Sequence, residues 1–133
     1  MERKLGINNK LILTGVLLVS FFILAPYAFA DTIGEGRTFF VNSKYDDFSR
    51  SVISATLRHA SSRAYFYVDD SYWNEMNLLS RNSFTANMQE LARQFDDIIY
   101  PKETQFWGSE PNPGIDGDAR ITILLENLNL GNG

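Results

Sequence analysis

The stretch "ARITILLENL", Ala119 to Leu128, decides how the chain is to be read. Ile121, Ile123 and Leu125 fall on one face of an extended segment, and Leu124 makes the other face apolar as well. A strand that is apolar on both faces needs cover on both sides, which predicts an α/β layer. The residues feeding it, Lys102 to Asp118, contain Gly108, Pro111, Pro113, Gly114 and Gly117 and so form a structured loop. Within that loop Asp116 and Asp118 have the spacing of adjacent oxygen ligands for calcium, although a complete calcium loop needs several more donors and a distal glutamate. The other reading is a turn in which Gly117 supplies a positive φ and the aspartates bond to their own backbone.

Upstream, "SFTANMQELARQFDDIIY" places Phe84, Met88, Leu91, Ala92, Phe95, Ile98 and Ile99 at the three- and four-residue steps of one helix face. Asn82 or Ser83 is the expected cap, Arg93 is spaced to meet Asp97, and Pro101 is expected to end the helix. Asp96 and Asp97 lie at the negative end of the dipole, a placement that calls for a neighbouring cation or a cap on another segment. "RAYFYVDD" alternates Ala64, Phe66 and Val68 against Tyr65 and Tyr67. "SVISATLR" alternates Ile53, Ala55 and Leu57 against Ser54, Thr56 and Arg58, a pattern that a helix through Val52, Ile53, Leu57 and Ala60 would also satisfy. Joined by "HASS", the two read as a hairpin, and "RTFFVN" as a first strand ended by "SKYDD". The expected fold is α/β: a small mixed sheet with strands near 37–42, 51–58, 63–69 and 119–125, packed on one main helix near 83–99.

The first thirty residues are set apart by their pattern. Arg3, Lys4 and Lys10 precede the apolar run Leu11–Ala25, and "AFA" at 28–30 supplies the small residues of an export cleavage site between Ala30 and Asp31. Residues 1–30 are thus expected to be a signal helix. The rival is an uncleaved anchor, since Leu11 to Ala30 lacks charge over about the 20 residues that span a bilayer. From Asp31 onward nine Lys and Arg face fifteen Asp and Glu, a net charge of −6. Phosphate backbones are bound mainly by cationic contacts, so no nucleic-acid partner is expected. The absence of cysteine excludes disulfides, a thiolate nucleophile and thiolate zinc sites.

Candidate catalytic groups are few. His59, the one histidine, sits on a polar connection, whereas a zinc peptidase site needs at least two imidazoles and a further ligand. No "GxSxG" turn presents a serine. Asp69–Asp70 and Asp96–Asp97 could serve glycoside hydrolysis only if carboxyls were held about 5–10 Å apart. Neighbours on a strand face opposite ways, so a pair supplies at most one member, and Asp70 is better placed to cap a turn. Tyr45, Tyr72, Trp73 and Trp107 could form a sugar-stacking face or be core aromatics.

"FYVDDSYW" and the run "LARQFDDIIYPKETQFWGSEPNPGIDGDARITILLENL" resemble the front part of secreted bacterial zinc metallopeptidases of the hyicolysin and immune-inhibitor-A-like kind. The resemblance extends from about Ala55 to the last glycine and is densest from Phe95 to Leu128. It implies a zincin-like layer followed by a helix bearing "HExxH", with zinc-activated water attacking a peptide bond. No such motif occurs here, so the resemblance assigns no catalytic residue and no zinc ligand to this chain. The expected organisation is a signal peptide, 1–30, and a truncated N-terminal portion of a metallopeptidase-like domain, 31–133. The expected product is secreted or held in the cell envelope. Zinc, peptide or protein substrate and the catalytic half would belong to a longer parent, and membrane contact would come only through the signal segment. The alternative is a small exported binding module for sugar or protein that uses surface aromatics.

Overall fold

In the computed structural model, which describes residues 30–112, 114–115 and 117–129, the apolar runs pair into one four-stranded sheet. β1 (Gly36–Phe40), β2 (Val52–Ala60) and β3 (Ala64–Asp69) form an antiparallel meander, and β4 (Ile121–Leu125) lies parallel to β3. A parallel neighbour requires a long crossover. Here it is built from α1 (Asp70–Glu75), α2 (Leu78–Gln94), a π-helical turn (Phe95–Ile99) and α3 (Tyr100–Trp107). All of the expected signal segment, 1–30, except its last residue lies outside the described residues, and among those described no helix is long and apolar enough to cross a membrane.

Cover on both faces is fullest one strand inward from β4, at β3, where all six residues are buried. Ala64, Phe66 and Val68 pack against Met88 and Ala92 of α2, with Phe84, Phe95, Ile123 and Leu125 at the margin. On the other face Tyr65 and Tyr67 pack with Ala55 and Leu57, bordered by Phe39 and Leu124. β2 alternates as its sequence predicts, Ile53, Ala55 and Leu57 being buried. The helical alternative for that segment is overturned by its ladders to β1 and β3. His59 lies within β2 and not on the connection. A register shift between Leu57 and His59 sets it opposite Phe66, its ring 6.0 Å from the phenyl ring.

The helical region differs most from expectation. It begins at Leu78, and its cap is Asn77, whose side chain accepts the Ser80 N–H at 2.9 Å, in place of Asn82 or Ser83. Asn77→Ala should cost about 1 kcal/mol, the usual worth of such a cap, read as a lower urea midpoint. Its buried stripe is also narrower: Met88 and Ala92 are covered, whereas Leu91, Ile98 and Ile99 are exposed. Pro101 does not end the helix. The π-helical turn carries the Tyr100 N–H to the Phe95 carbonyl, and Pro101 then sits in the first turn of α3, where a missing N–H costs little. The stop comes at Gly108, whose φ of 86° takes the chain out of α3 while its N–H bonds Thr104 O at 3.0 Å.

Candidate functional site

Open α/β sheets offer ligand crevices beyond the carboxyl ends of their parallel strands. Here that end holds Asp69, the last residue of β3, and Glu126, which follows β4. The β1–β2 connection folds over the same end: Asp46 pairs with Leu128 as an isolated bridge, and the Asn129 N–H donates to Tyr45 O at 2.7 Å. Ser49 turns this connection with a φ of 55°, the one positive value at a non-glycine position among the described residues. That strained turn sends Arg50 back over Asp46.

Arg50 occupies the centre. Its Nη2 donates to Asp46 Oδ1 and to Asp69 Oδ2, both at 2.6 Å, its Nε reaches both Asp46 oxygens at 3.1 Å, and its Nη1 reaches Ser71 Oγ at 3.1 Å. The two carboxylates are 0% and 1% exposed, so they are buried charges neutralised by a forked cation. Each also accepts backbone N–H groups: Asp46 from Phe48 and Arg50, Asp69 from Ser71 as the cap of α1. The bond from the Arg50 side chain holds the Asp46 carboxyl at about 2 against the opposing effect of burial.

Beside this cluster a groove of about 490 Å³ is lined by Val41, Asn42, Tyr45, Glu126, Leu128 and Asn129. Glu126 Oε2 is buried without a hydrogen-bond partner. Burial first, then the charges of Asp46 and Asp69, raise the Glu126 carboxyl above its ordinary value, with Arg50 opposing. The folded state therefore keeps this proton to higher pH than the unfolded chain, and stability is lost as pH rises from the unfolded value through the folded one. Glu126→Gln should raise Tm at neutral pH, with the gain vanishing below about pH 4; paired thermal melts across that range test it.

The other sequence candidates lie elsewhere and carry structural bonds. Asp70 does not cap the turn, because Asp69 does; Asp70 instead accepts Thr56 Oγ1 at 2.6 Å and stands 3.6 Å from Arg58. Asp96 caps the β2–β3 turn, accepting from Ser61 Oγ, from both Ser62 N–H and Oγ, and from Arg63 N–H at 2.8–3.2 Å. Burial works to raise its carboxyl, and these donors more than offset that and hold it low. Asp97 meets Arg93 at 3.4 Å, as its spacing predicts.

In the opening loop Gly117 adopts a φ of 82° and bonds Gly114 O, as the turn requires. Asp116, one of the two calcium candidates, lies outside the described residues. Asp118, the other, accepts the Arg120 N–H at 2.9 Å and the Tyr65 hydroxyl at 2.6 Å, so its carboxylate is a clasp between loop and sheet. Among the described residues no three His, Cys, Asp or Glu side chains are grouped to hold a metal ion. His59, packed on Phe66, has no second imidazole to join it.

The aromatics do not share one sugar-stacking face. Trp73 is half-buried, flanked by the guanidinium groups of Arg58 at 4.5 Å and Arg81 at 5.4 Å, and Tyr72 stands edge-on to Phe84. Trp107 and Phe106 are 78% and 76% exposed at the end of α3. The central member missing from the sequence reading is Arg50. Its only sequence signal is the four-residue step from Asp46 in "DDFSR", inside what reads as a polar strand ending. No family model, curated protein or solved structure matches the chain.

Proposed function

We propose that residues 31–133 form an exported, non-catalytic α/β layer of a zinc-metallopeptidase-like protein, with peptide-bond hydrolysis belonging to an "HExxH" portion outside these residues. The observation that carries the non-catalytic half of this reading is the engagement of Asp46 and Asp69 by Arg50. A general base must be poised to take a proton near the working pH, and the Asp46 carboxyl, held at about 2, is not. The metallopeptidase half is supported by the quoted segments, which supply β3, the later part of the crossover and β4, the parallel unit of the sheet. The described residues do not fit zinc, so no catalytic step is assigned to them.

The source reading frame tests the first reading. An in-frame "HExxH" within about a hundred residues downstream, with chelator-sensitive cleavage by that longer product, is the expected result. A frame without that motif would sink the idea.

The exposed Phe106–Trp107 pair favours the binding module as a second reading. It adjoins a shallow apolar groove of about 180 Å³ lined by residues including Phe95, Tyr100 and Ile121. Titration with a cell-wall oligosaccharide, followed by tryptophan fluorescence in the parent and in Trp107→Ala, decides it. A response that the variant loses supports the module, and an unchanged spectrum removes it.

A further inference from the structure

The two edges of the sheet are guarded differently. β1 carries Arg37, and a charge on an edge strand discourages pairing with another chain. β4, "ITILL", has no charge, no proline and no bulge, and its register with β3 runs unbroken from Ile121 to Leu125. Its far side pairs with no strand among the described residues. Ile121 and Thr122 are exposed there, and Ile121 borders the apolar groove beside Trp107.

Backbone direction decides what this edge can take. The Ile121 N–H donates to Arg63 O at 2.9 Å, so Ile121, Ile123 and Leu125 direct their backbone groups at β3. The alternation of a strand then turns those of Thr122 and Leu124 outward. Arg120 shares the outward phase, but its N–H is taken by Asp118 Oδ1 at 2.9 Å. The open edge is therefore short and centred on Ile123. An antiparallel copy of the same strand fits it about a two-fold axis at Ile123. Thr122 then faces the second copy's Leu124 as a hydrogen-bonded pair, Ile123 faces its own counterpart, and Ile121 faces Leu125. A slip of one residue would set outward groups against inward ones. A slip of two would set Arg120 against Leu124, or Glu126 against Thr122, and lose the pairing of charges at the ends.

We propose that β4 is a self-association edge, pairing antiparallel with β4 of a second copy of this chain so that two four-stranded sheets join into one. Charge fixes the direction. Arg120 precedes β4 and Glu126 follows it, so the antiparallel register sets each cation across from the other copy's anion, whereas an in-register parallel pairing sets like charges side by side. Arg120 keeps its bond to the Tyr65 hydroxyl, and its contribution is attraction across the ladder without a new hydrogen bond. That attraction acts at the end where Glu126 Oε2 has no hydrogen-bond partner. The contact is isologous, so association closes at a dimer. It does not depend on the peptidase reading.

The test is sedimentation equilibrium of the full chain, passed through a bacterial export pathway, over a range of concentrations. The expected mass rises from monomer to dimer and no further. Thr122→Pro removes an outward N–H and leaves the ladder to β3 intact. Both copies lose a bond, so association should weaken by about tenfold or more, while the Tm of the dilute monomer stays near the parent's. Ile123→Cys, in a chain otherwise without cysteine, should form an intermolecular disulfide under mild oxidation, because a non-hydrogen-bonded pair brings its Cα atoms to about 4.5 Å. If either variant fails to fold, hydrogen exchange in the parent reads the same contact: protection of the Thr122 and Leu124 amides should rise with concentration. A product still monomeric at about 1 mM overturns the proposal. So does a dimer that Thr122→Pro leaves intact, since its contact lies elsewhere. Amides protected equally at every concentration would assign the edge to another segment of the same chain and overturn it as well.

Discussion

Arg50→Met should lower folding stability by about 3 kcal/mol, toward the lower end of what breaking a buried ion pair costs because the guanidinium is partly exposed. Methionine keeps most of the aliphatic stem but removes the guanidinium, which also lies 5.0 Å over the Phe48 ring, so the loss joins the ion pairs with that cation–π contact. What remains is two carboxylates at 0% and 1% exposure that no other cation among the described residues pairs with. Both must then be protonated or drawn out to water, and the second course would open the β1–β2 connection from the end of β3. Urea unfolding should show a lower midpoint at unchanged slope if the loss is confined to this cluster. The acid limb should shift as well. Asp46 is held at about 2 from an ordinary 3.8. A depressed carboxyl stabilises the fold above its unfolded value and loses that contribution as pH falls through its folded one. In the parent this loss belongs to the window between about 4 and 2. In Arg50→Met the dependence on Asp46 protonation should reverse, with acid relieving the strain of the uncompensated charge.

The second large effect is expected at Asp96. Asp96→Ala removes the acceptor for Ser61, Ser62 and Arg63 together and should cost about 2 kcal/mol, within the range for hydrogen bonds to a charged group and reduced by partial exposure. Asp96→Asn should cost less, because the amide oxygen keeps part of the pattern. The position matters because the β2–β3 turn starts the central strand. Losing the cap should therefore lower hydrogen-exchange protection first at Ala64 and Tyr65, while the middle of α2 keeps its own. Equal loss of protection throughout the sheet would contradict a local cap.

Local periodicity carried much of the fold. Ile53, Ala55 and Leu57 are buried as their alternation requires, and the fold is α/β as the apolar faces of β4 imply. β4 itself, however, is an edge strand, with Ile121 and Thr122 exposed and Ile123 to Leu125 only half-buried, because among the described residues a neighbouring strand pairs with it on one side alone. Where the sequence misled, a nonlocal or cooperative effect prevailed. Pro101 reads as a stop, yet the π-helical turn before it relieves the bonding that proline breaks. Leu91, Ile98 and Ile99 fit the helical stripe but stay exposed: α2 meets the sheet through Met88 and Ala92, with Phe84 and Phe95 at the margin, and Ile98 and Ile99 fall in the π-helical turn, where the period of the helix changes.

The candidate site was less legible for the same reason. Asp69 stood out as a strand-end carboxylate, but its partner is nineteen positions away in a connection with no strong pattern. Asp96 is misplaced for the dipole of its own helix, and what it caps is a turn 33–35 positions away. Asp118 reads as a turn-maker, and its side chain accepts the Arg120 N–H as one does. Its contact with Tyr65, 53 positions distant, could not be inferred from spacing.

The claim on which these results depend is that the carboxylates at the end of β3 form a structural clamp with Arg50 and are not idle acids awaiting a substrate. A double-mutant cycle between Arg50→Met and Asp69→Asn measures that directly. The clamp predicts a coupling of about 2 kcal/mol, well inside the range for buried partners in one network. Coupling within about 0.5 kcal/mol of zero would mean that the two sites add independently, and the clamp would be contradicted.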